Sequence, residues 1–332
     1  MNGVLKTQAQ YYNDPETYPG EGGTETNKAV IEDIYDLCAW MNVMTTQADV
    51  YATSQHKQYA VLIRDVNFND HSVYKYGLTT DTLIDMSFEG NKGDLDGAGH
   101  SVLNMVINSN TPKTTPNGII YNGTVHDINF KNIVLMGNRN DANTVHPVFG
   151  KVTINSCNMS VYFSTDRWAH LMCKNIYLND VTINMAGSIE QNVLIAGHYS
   201  SSIVANRVKF NFNNLRVMST TAYNQVAGGG SGLNCTNCAF TGLIYQTNVT
   251  SSASHYLCSS YINNCYFAIT TGVTNYTSLF NISSSGAQLT GMNVVDKDLL
   301  GGEYADGTNY MMLSTAEMKS SSTLLRYGFL TL

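Results

Sequence analysis

The sequence predicts an all-β chain wound as a parallel β-helix, and three observations carry the prediction. The first is an apolar pattern that recurs from about residue 125 to 295. Its copies are Ile128-Phe130-Ile133-Leu135, Val152-Ile154-Cys157-Met159, Ile176-Leu178-Val181-Ile183 and Ile203-Ala205-Val208-Phe210. Leu233-Cys235-Cys238-Phe240, Ile262-Cys265-Phe267 and Leu289-Met292-Val294 follow. With the third apolar residue as anchor, the register runs 133, 157, 181, 208, 238, 265, 292, in steps of 24, 24, 27, 30, 27 and 27 residues. Such a period marks a repeat architecture whose units bury their apolar faces only by stacking. The second observation is alternation with period two inside each copy, which means strand. The third is another short apolar cluster 14 to 19 residues past each anchor, as at Val148-Phe149 and Leu171-Met172. Each period therefore holds at least two strands and leaves no space for a ten-residue helix, so coils should rise by roughly 4.8 Å, the strand spacing of a sheet.

Taken in order, the chain divides into an N-terminal attachment and oligomerisation region over 1–80, a β-helix over 81–310 and a C-terminal cap over 311–332. Residues 1–23 are polar and punctuated by Pro and Gly, and are expected to order against a partner. One helix is expected at about 26–42, where Thr24 or Thr26 can cap it and Val30, Ile34, Leu37 and Met41 share one face. That stripe fits either a short oligomer seam or a helix packed over the end of a solenoid. Strands are expected from about 58 to 90. Amides precede most anchors (Asn132, Asn155, Asn179, Asn206, Asn237, Asn263, Asn264), as suits bends where the backbone turns left-handed. At the far end, Ser314 and Glu317 have capping-box spacing and should open a short helix over the last coil.

Seven cysteines are present: Cys38, Cys157, Cys173, Cys235, Cys238, Cys258 and Cys265. The repeat register puts Cys235 and Cys238 where another coil has Leu178 and Val181, so buried free thiols are expected rather than a bridge or a zinc site.

Composition narrows the function classes. Only 13% of the 332 residues are charged, and the net charge of −7 is uneven: residues 1–100 carry 15 acidic and 6 basic side chains, the remainder 10 and 12. There is no basic stripe, so nucleic acid is not an expected partner. No apolar run approaches the length of a membrane span, and the first residues have neither the charged start nor the apolar core of an export signal. Low charge without an export signal fits a phage structural protein made in a host cytoplasm and released in the virion. The six Asn-x-Ser/Thr sequons (Asn122, Asn158, Asn234, Asn248, Asn275, Asn281) then need no role as glycosylation sites.

Two segments carry a resemblance. Gly93-Asp94-Leu95-Asp96-Gly97-Ala98-Gly99-His100-Ser101-Val102-Leu103-Asn104-Met105 resembles the opening turn and strand of many pectate-lyase-like and adhesin-type β-helix proteins. Ser314-Thr315-Ala316-Glu317-Met318-Lys319 resembles the closing segment of phage and gut-bacterial proteins with GLUG-type β-helical repeats. The chain thus resembles phage tailspike or fibre proteins and adhesins of the parallel β-helix type, over about 80–332 as architecture and only at these two segments as motif. The resemblance implies a fold and a niche without a reaction, and it makes Asp94 and Asp96 turn residues rather than an acid/base pair.

Chemistry has few candidates. Glycoside hydrolysis usually requires two carboxylates facing one bond, yet residues 191–295 contain no Asp or Glu. Asp141, Asp166 and Glu190, eight or nine residues past successive anchors, are the one carboxylate column that could line a flank. Asp166-Arg167-Trp168-Ala169-His170 gathers a carboxylate, a guanidinium, an indole and an imidazole in one loop and is the candidate glycan contact, through Asp166, Arg167, Trp168 and His170. No metal and no cofactor is expected. The reading is a non-enzymatic virion attachment protein (tail spike, tail fibre or head fibre), a homo-oligomer with a trimer favoured, joined to other virion proteins through residues 1–45 and meeting a cell-surface glycan. A polysaccharide depolymerase and a bacterial surface adhesin are the alternatives.

Overall fold

Alternating side chains give each strand one apolar side, and a chain with few charges can bury that side only by winding it inward and stacking it on the next coil. The computed structural model describes residues 6–13, 23–41, 59–70, 91–108, 120–121, 123–137, 148–165, 171–173, 175–189, 202–218, 223–225, 233–247, 254–256, 261–271, 288–291, 293–300, 310–320 and 322–323. Over these residues the chain is an all-β parallel solenoid. A first sheet has ten strands in sequence order, from Ala29–Ile31 and Tyr59–Leu62 through Thr124–His126 and Ile203–Asn206 to Gln288–Thr290. A second sheet of eleven strands runs from Val66–Asn67 to Tyr310–Leu313, and a third joins Asn91–Lys92, Ile120–Tyr121, Phe149–Gly150 and Met172–Cys173. Every strand pair is parallel. The third sheet contains Phe149 and Met172, from the second apolar cluster of each period.

Inside, equivalent residues lie directly over one another. Leu95, Val125, Ile154, Leu178, Ala205, Cys235 and Ile262 form one buried column of the first sheet. Phe210, Phe240 and Phe267 form another in the second sheet, with ring centroids 4.8 Å apart and planes within 16° of parallel. The rings face one another because the rung spacing dictates it.

The anchors Cys157, Val181, Val208, Cys238 and Cys265 are buried to within 1% and occupy successive coils. The two ends of the expected register are corrected. Ile133 is buried but pairs with Val161; the residue one coil below Cys157 is Ile128, 29 positions earlier rather than 24. In the last coil Val294 pairs with Tyr266, so buried Asn293 stands next to Cys265 where Met292 was expected. Its Oδ1 accepts the Cys265 N–H at 2.8 Å and its Nδ2 donates to the Thr290 carbonyl at 3.2 Å. Met292 itself lies outside the described residues.

The corner before each anchor is left-handed. Asp127, Ser156, Asp180, Arg207, Asn237 and Asn264 have φ between 51° and 55°. The expected amides are near this corner rather than uniformly at it: Asn155, Asn179 and Asn206 sit one residue earlier and stack, Asn179 Nδ2 donating to Asn155 Oδ1 at 2.9 Å. Similar ladders link Asn104 to Asn67 and Asn132 to Asn104, at 2.9 and 3.1 Å.

Cys157, Cys235, Cys238 and Cys265 are buried thiols outside any disulfide, and burial pushes the Cys157 thiol up to about 12. The side chains of Cys38, Cys173 and Cys258 lie outside the described residues.

The N-terminal expectation changes most. The sheets do not begin at 81: Ala29–Ile31 is already the first strand of the first sheet, so Val30 belongs to a strand and not to a helix. The helix is shorter than expected, Ile34–Met41, here α2. Ile34, Leu37 and Trp40 are 3%, 1% and 0% exposed and belong to the main core, so of the two roles for this stripe the packed one is observed. Ahead of it a short helix α1, Gln8–Tyr12, opens with a capping box between Thr7 and Gln10. Its lead-in runs antiparallel to the first strand, Val30 N–H donating to the Lys6 carbonyl at 2.7 Å and Gln8 N–H to the Lys28 carbonyl at 2.9 Å. That covers a sheet edge that would otherwise invite another chain. Removing residues 1–45 would take away a strand and five side chains of the main core, Ala29, Ile31, Ile34, Leu37 and Trp40, so loss of assembly in such a variant would not by itself report on attachment.

Asp36 reports on this end. Burial, then the neighbouring Asp33 carboxylate, raise its pKa to about 6. A carboxyl that binds its proton more tightly when folded makes stability fall as pH rises between its unfolded value, near 4, and 6. We therefore expect the melting temperature to drop from pH 4.5 to pH 7, and Asp36→Asn to flatten that drop. An unchanged slope in the variant would show that Asp36 is not the group responsible.

At the other end, Asp296 is 1% exposed and accepts the N–H groups of Asp298 and Leu299 at 3.0 and 3.3 Å, opening α3, Lys297–Leu300. The capping box between Ser314 and Glu317 is formed and opens α4, Thr315–Met318. Met318 is fully buried against Ala239, Tyr266 and Val294, which lie on the outer side of the second sheet. The closing segment thus covers the outside of the last coils, where that column turns from Asn158, Thr182 and Lys209 to apolar residues.

Candidate functional site

A strand buried on one side offers its other side to solvent, and stacking turns single outward residues into rows. On the first sheet one outward row runs Tyr59, Asp94, Thr124, Thr153, Tyr177, Val204, Asn234, Tyr261. The next runs Asp96, His126, Asn155, Asn179, Asn206, Thr236, Asn263, Thr290. The face divides into two zones. From Thr153 and Asn155 onward both rows are uncharged, with Tyr177 and Val204 51% and 37% exposed. Beside this zone Arg207 and Asp180 neutralise each other through two hydrogen bonds of 2.6 Å, which holds the Asp180 carboxyl below its usual range.

The first coils are charged instead. A shallow cavity of about 170 Å³ is lined by Glu25, Lys28, Tyr59, Asp94, Asp96 and His126, among others. Lys28 reaches past Tyr59 to Asp96, Nζ to Oδ2 2.7 Å. Burial tends to raise the Asp96 pKa, but the Lys28 ammonium, the Ala98 N–H and His126 together outweigh it and hold the carboxyl below its usual range. Asp96 Oδ1 accepts the Ala98 N–H at 2.9 Å, the turn role expected of it, and Asp94 Oδ1 accepts the Thr124 N–H at 2.7 Å. Asp94 and Asp96 each serve the backbone. His126 Nδ1 lies 2.8 Å from Asp127 Oδ2 and 3.7 Å from Asp96 Oδ1. Asp96, His126 and Asp127 are the one group among the described residues with three metal-ligating atoms mutually within 4.8 Å.

The candidates named from sequence, Asp141, Asp166, Arg167, Trp168, His170 and Glu190, lie outside the described residues. The sequence reading passed over Lys28, Tyr59 and His126, which come from three different coils. The available signal was the strand register: once Leu95 stacks under Val125, Asp94 must meet Thr124 and Asp96 must meet His126. Comparison of the chain with family models, with curated proteins and with solved structures finds no match.

Proposed function

We propose that this chain is a non-enzymatic virion attachment protein of bacteriophage, a β-helical spike or fibre that meets host-surface glycan. The observation that supports it best is the uncharged outer face of the first sheet. From Thr153 to Tyr261 every rung presents an amide (Asn155, Asn179, Asn206, Asn234 and Asn263), with tyrosines at Tyr177 and Tyr261 and hydroxyls at Thr153 and Thr236. Tyr177 and Tyr261 stand three rungs apart in one row, about 14 Å at the strand spacing. Tyrosine faces give sugar rings an apolar platform, and amides offer both donors and acceptors to hydroxyls. Such contacts on a flat face are individually weak, so copies joined as a homo-oligomer, a trimer by preference, would gain avidity without new contacts. The segment holding Asp166, Arg167, Trp168 and His170 is a second place for glycan contact, and partners within the virion would hold the capped N-terminal end.

The test uses the full chain, host capsular or lipopolysaccharide, and virions. We expect retention on the polysaccharide, about tenfold weaker binding for Tyr177→Ser, labelling of virions by an antibody to the chain, and no release of reducing ends or unsaturated sugar. Release that disappears in Asp166→Asn would replace this reading with a depolymerase. Unlabelled virions would remove the virion reading.

A further inference from the structure

We propose that Asp96, His126 and Asp127 form a binding site for a divalent transition-metal ion, with Zn²⁺ the best match to the donor set. The site is built by the repeat. Asp96 and His126 face outward on paired strands, one rung apart. Asp127 occupies the left-handed corner that every later coil also adopts, φ 52° here, so the fold sets its backbone without help from a ligand. The corner directs the carboxylate back to the imidazole, Oδ2 to Nδ1 2.8 Å, while Asp96 Oδ1 approaches the same nitrogen at 3.7 Å. Donors held about 2.1 Å from a tetrahedral ion are roughly 3.4 Å from one another. Three donors mutually within 4.8 Å therefore converge on one ion through side-chain adjustment alone.

The donor types select the ion. One imidazole and two carboxylates suit Zn²⁺, Co²⁺ or Ni²⁺ better than Ca²⁺ or Mg²⁺, which favour all-oxygen sets. The equivalent corners carry Asn155-Ser156, Asn179-Asp180, Asn206-Arg207, Thr236-Asn237 and Asn263-Asn264, none of which offers an imidazole. The cavity beside Asp96 and His126 leaves one side open for water to complete the coordination. Lys28 is the competitor. Its ammonium holds Asp96 Oδ2 at 2.7 Å and must lose part of that contact when an ion enters. Removing Lys28 should therefore tighten binding, which a purely structural role for the three ligands does not predict.

The experiment titrates untagged, chelator-stripped full-length chain with Co²⁺, read by its d–d absorption, and with Zn²⁺ by calorimetry. We expect one equivalent bound in wild type. Loss of a ligand should weaken binding at least tenfold, in His126→Ala and in Asp127→Asn. Lys28→Ala should bind several-fold more tightly. Circular dichroism and melting curves establish that each variant is folded, and Asp127→Asn, which keeps the shape of the corner, serves if His126→Ala is not. Absence of a d–d band in wild type, an unchanged affinity in folded His126→Ala or Asp127→Asn, or weaker binding in Lys28→Ala would overturn the proposal.

Discussion

Replacing Val208 with Asp is expected to abolish the cooperative fold at ambient temperature. Val208 is fully buried, with Val181 in the coil before it and Cys238 in the coil after. A carboxylate there has no partner and no water, and the cost is on the order of 4 kcal/mol even after it takes up a proton. Val208→Ala removes only apolar contacts and should cost about 2 kcal/mol. Denaturant titration followed by circular dichroism separates the two. An aspartate variant as stable as the alanine variant would mean that the column is open to solvent at this rung. A solenoid transmits such damage to both neighbours, because each coil buries its face only against the next.

The second large effect is at Gly242. Its φ is +103°, and a Cβ at this position would run into the backbone carbonyl oxygen of Phe212 on the paired strand. Gly242→Ala must therefore displace main chain, and we expect a loss of about 3 kcal/mol, beyond the ~1 kcal/mol that a positive φ alone costs a residue with a Cβ. Gly99 is the control. It also has positive φ, +82°, yet a Cβ there would meet nothing within 4 Å, so Gly99→Ala should cost only the conformational part. Equal losses at the two sites would show that close packing of the Phe212 and Gly242 strands contributes nothing.

Val208 lies where the repeat could be read directly, whereas the close approach at Gly242 shows only in the structure. The alternation at Ile203, Ala205, Val208 and Phe210 places Val208 inside, and the buried column agrees. The same reasoning misplaced the first coil for a definite reason. A left-handed corner and a left-handed bulge each add one residue to the alternation and so leave the same mark. Asp127 is the corner, with Val125 before it and Ile128 after. Asn132, φ 56°, sits at an irregularity between Phe130 and Ile133 inside one long strand. Taking the second for the first shifts the coil by five positions. The extra residue near Gly291 shifts the last coil in the same way.

By itself the sequence determined the fold class, the inward columns from Cys157 to Cys265, the burial of Cys157, Cys235, Cys238 and Cys265, and the capping box at Ser314. These follow from local periodicity and local hydrogen bonds, which a single strand or turn records within a few residues. Only the tertiary structure decided where the solenoid begins, since Ala29–Ile31 is a strand because Tyr59–Leu62 pairs with it. It alone turned Ile34, Leu37 and Trp40 inward and brought Lys28, Asp96 and His126 together. Those contacts join residues 30 to 68 positions apart. The number of residues from one coil to the next varies, so only the hydrogen-bonded stacking of one coil on the next sets which residues meet.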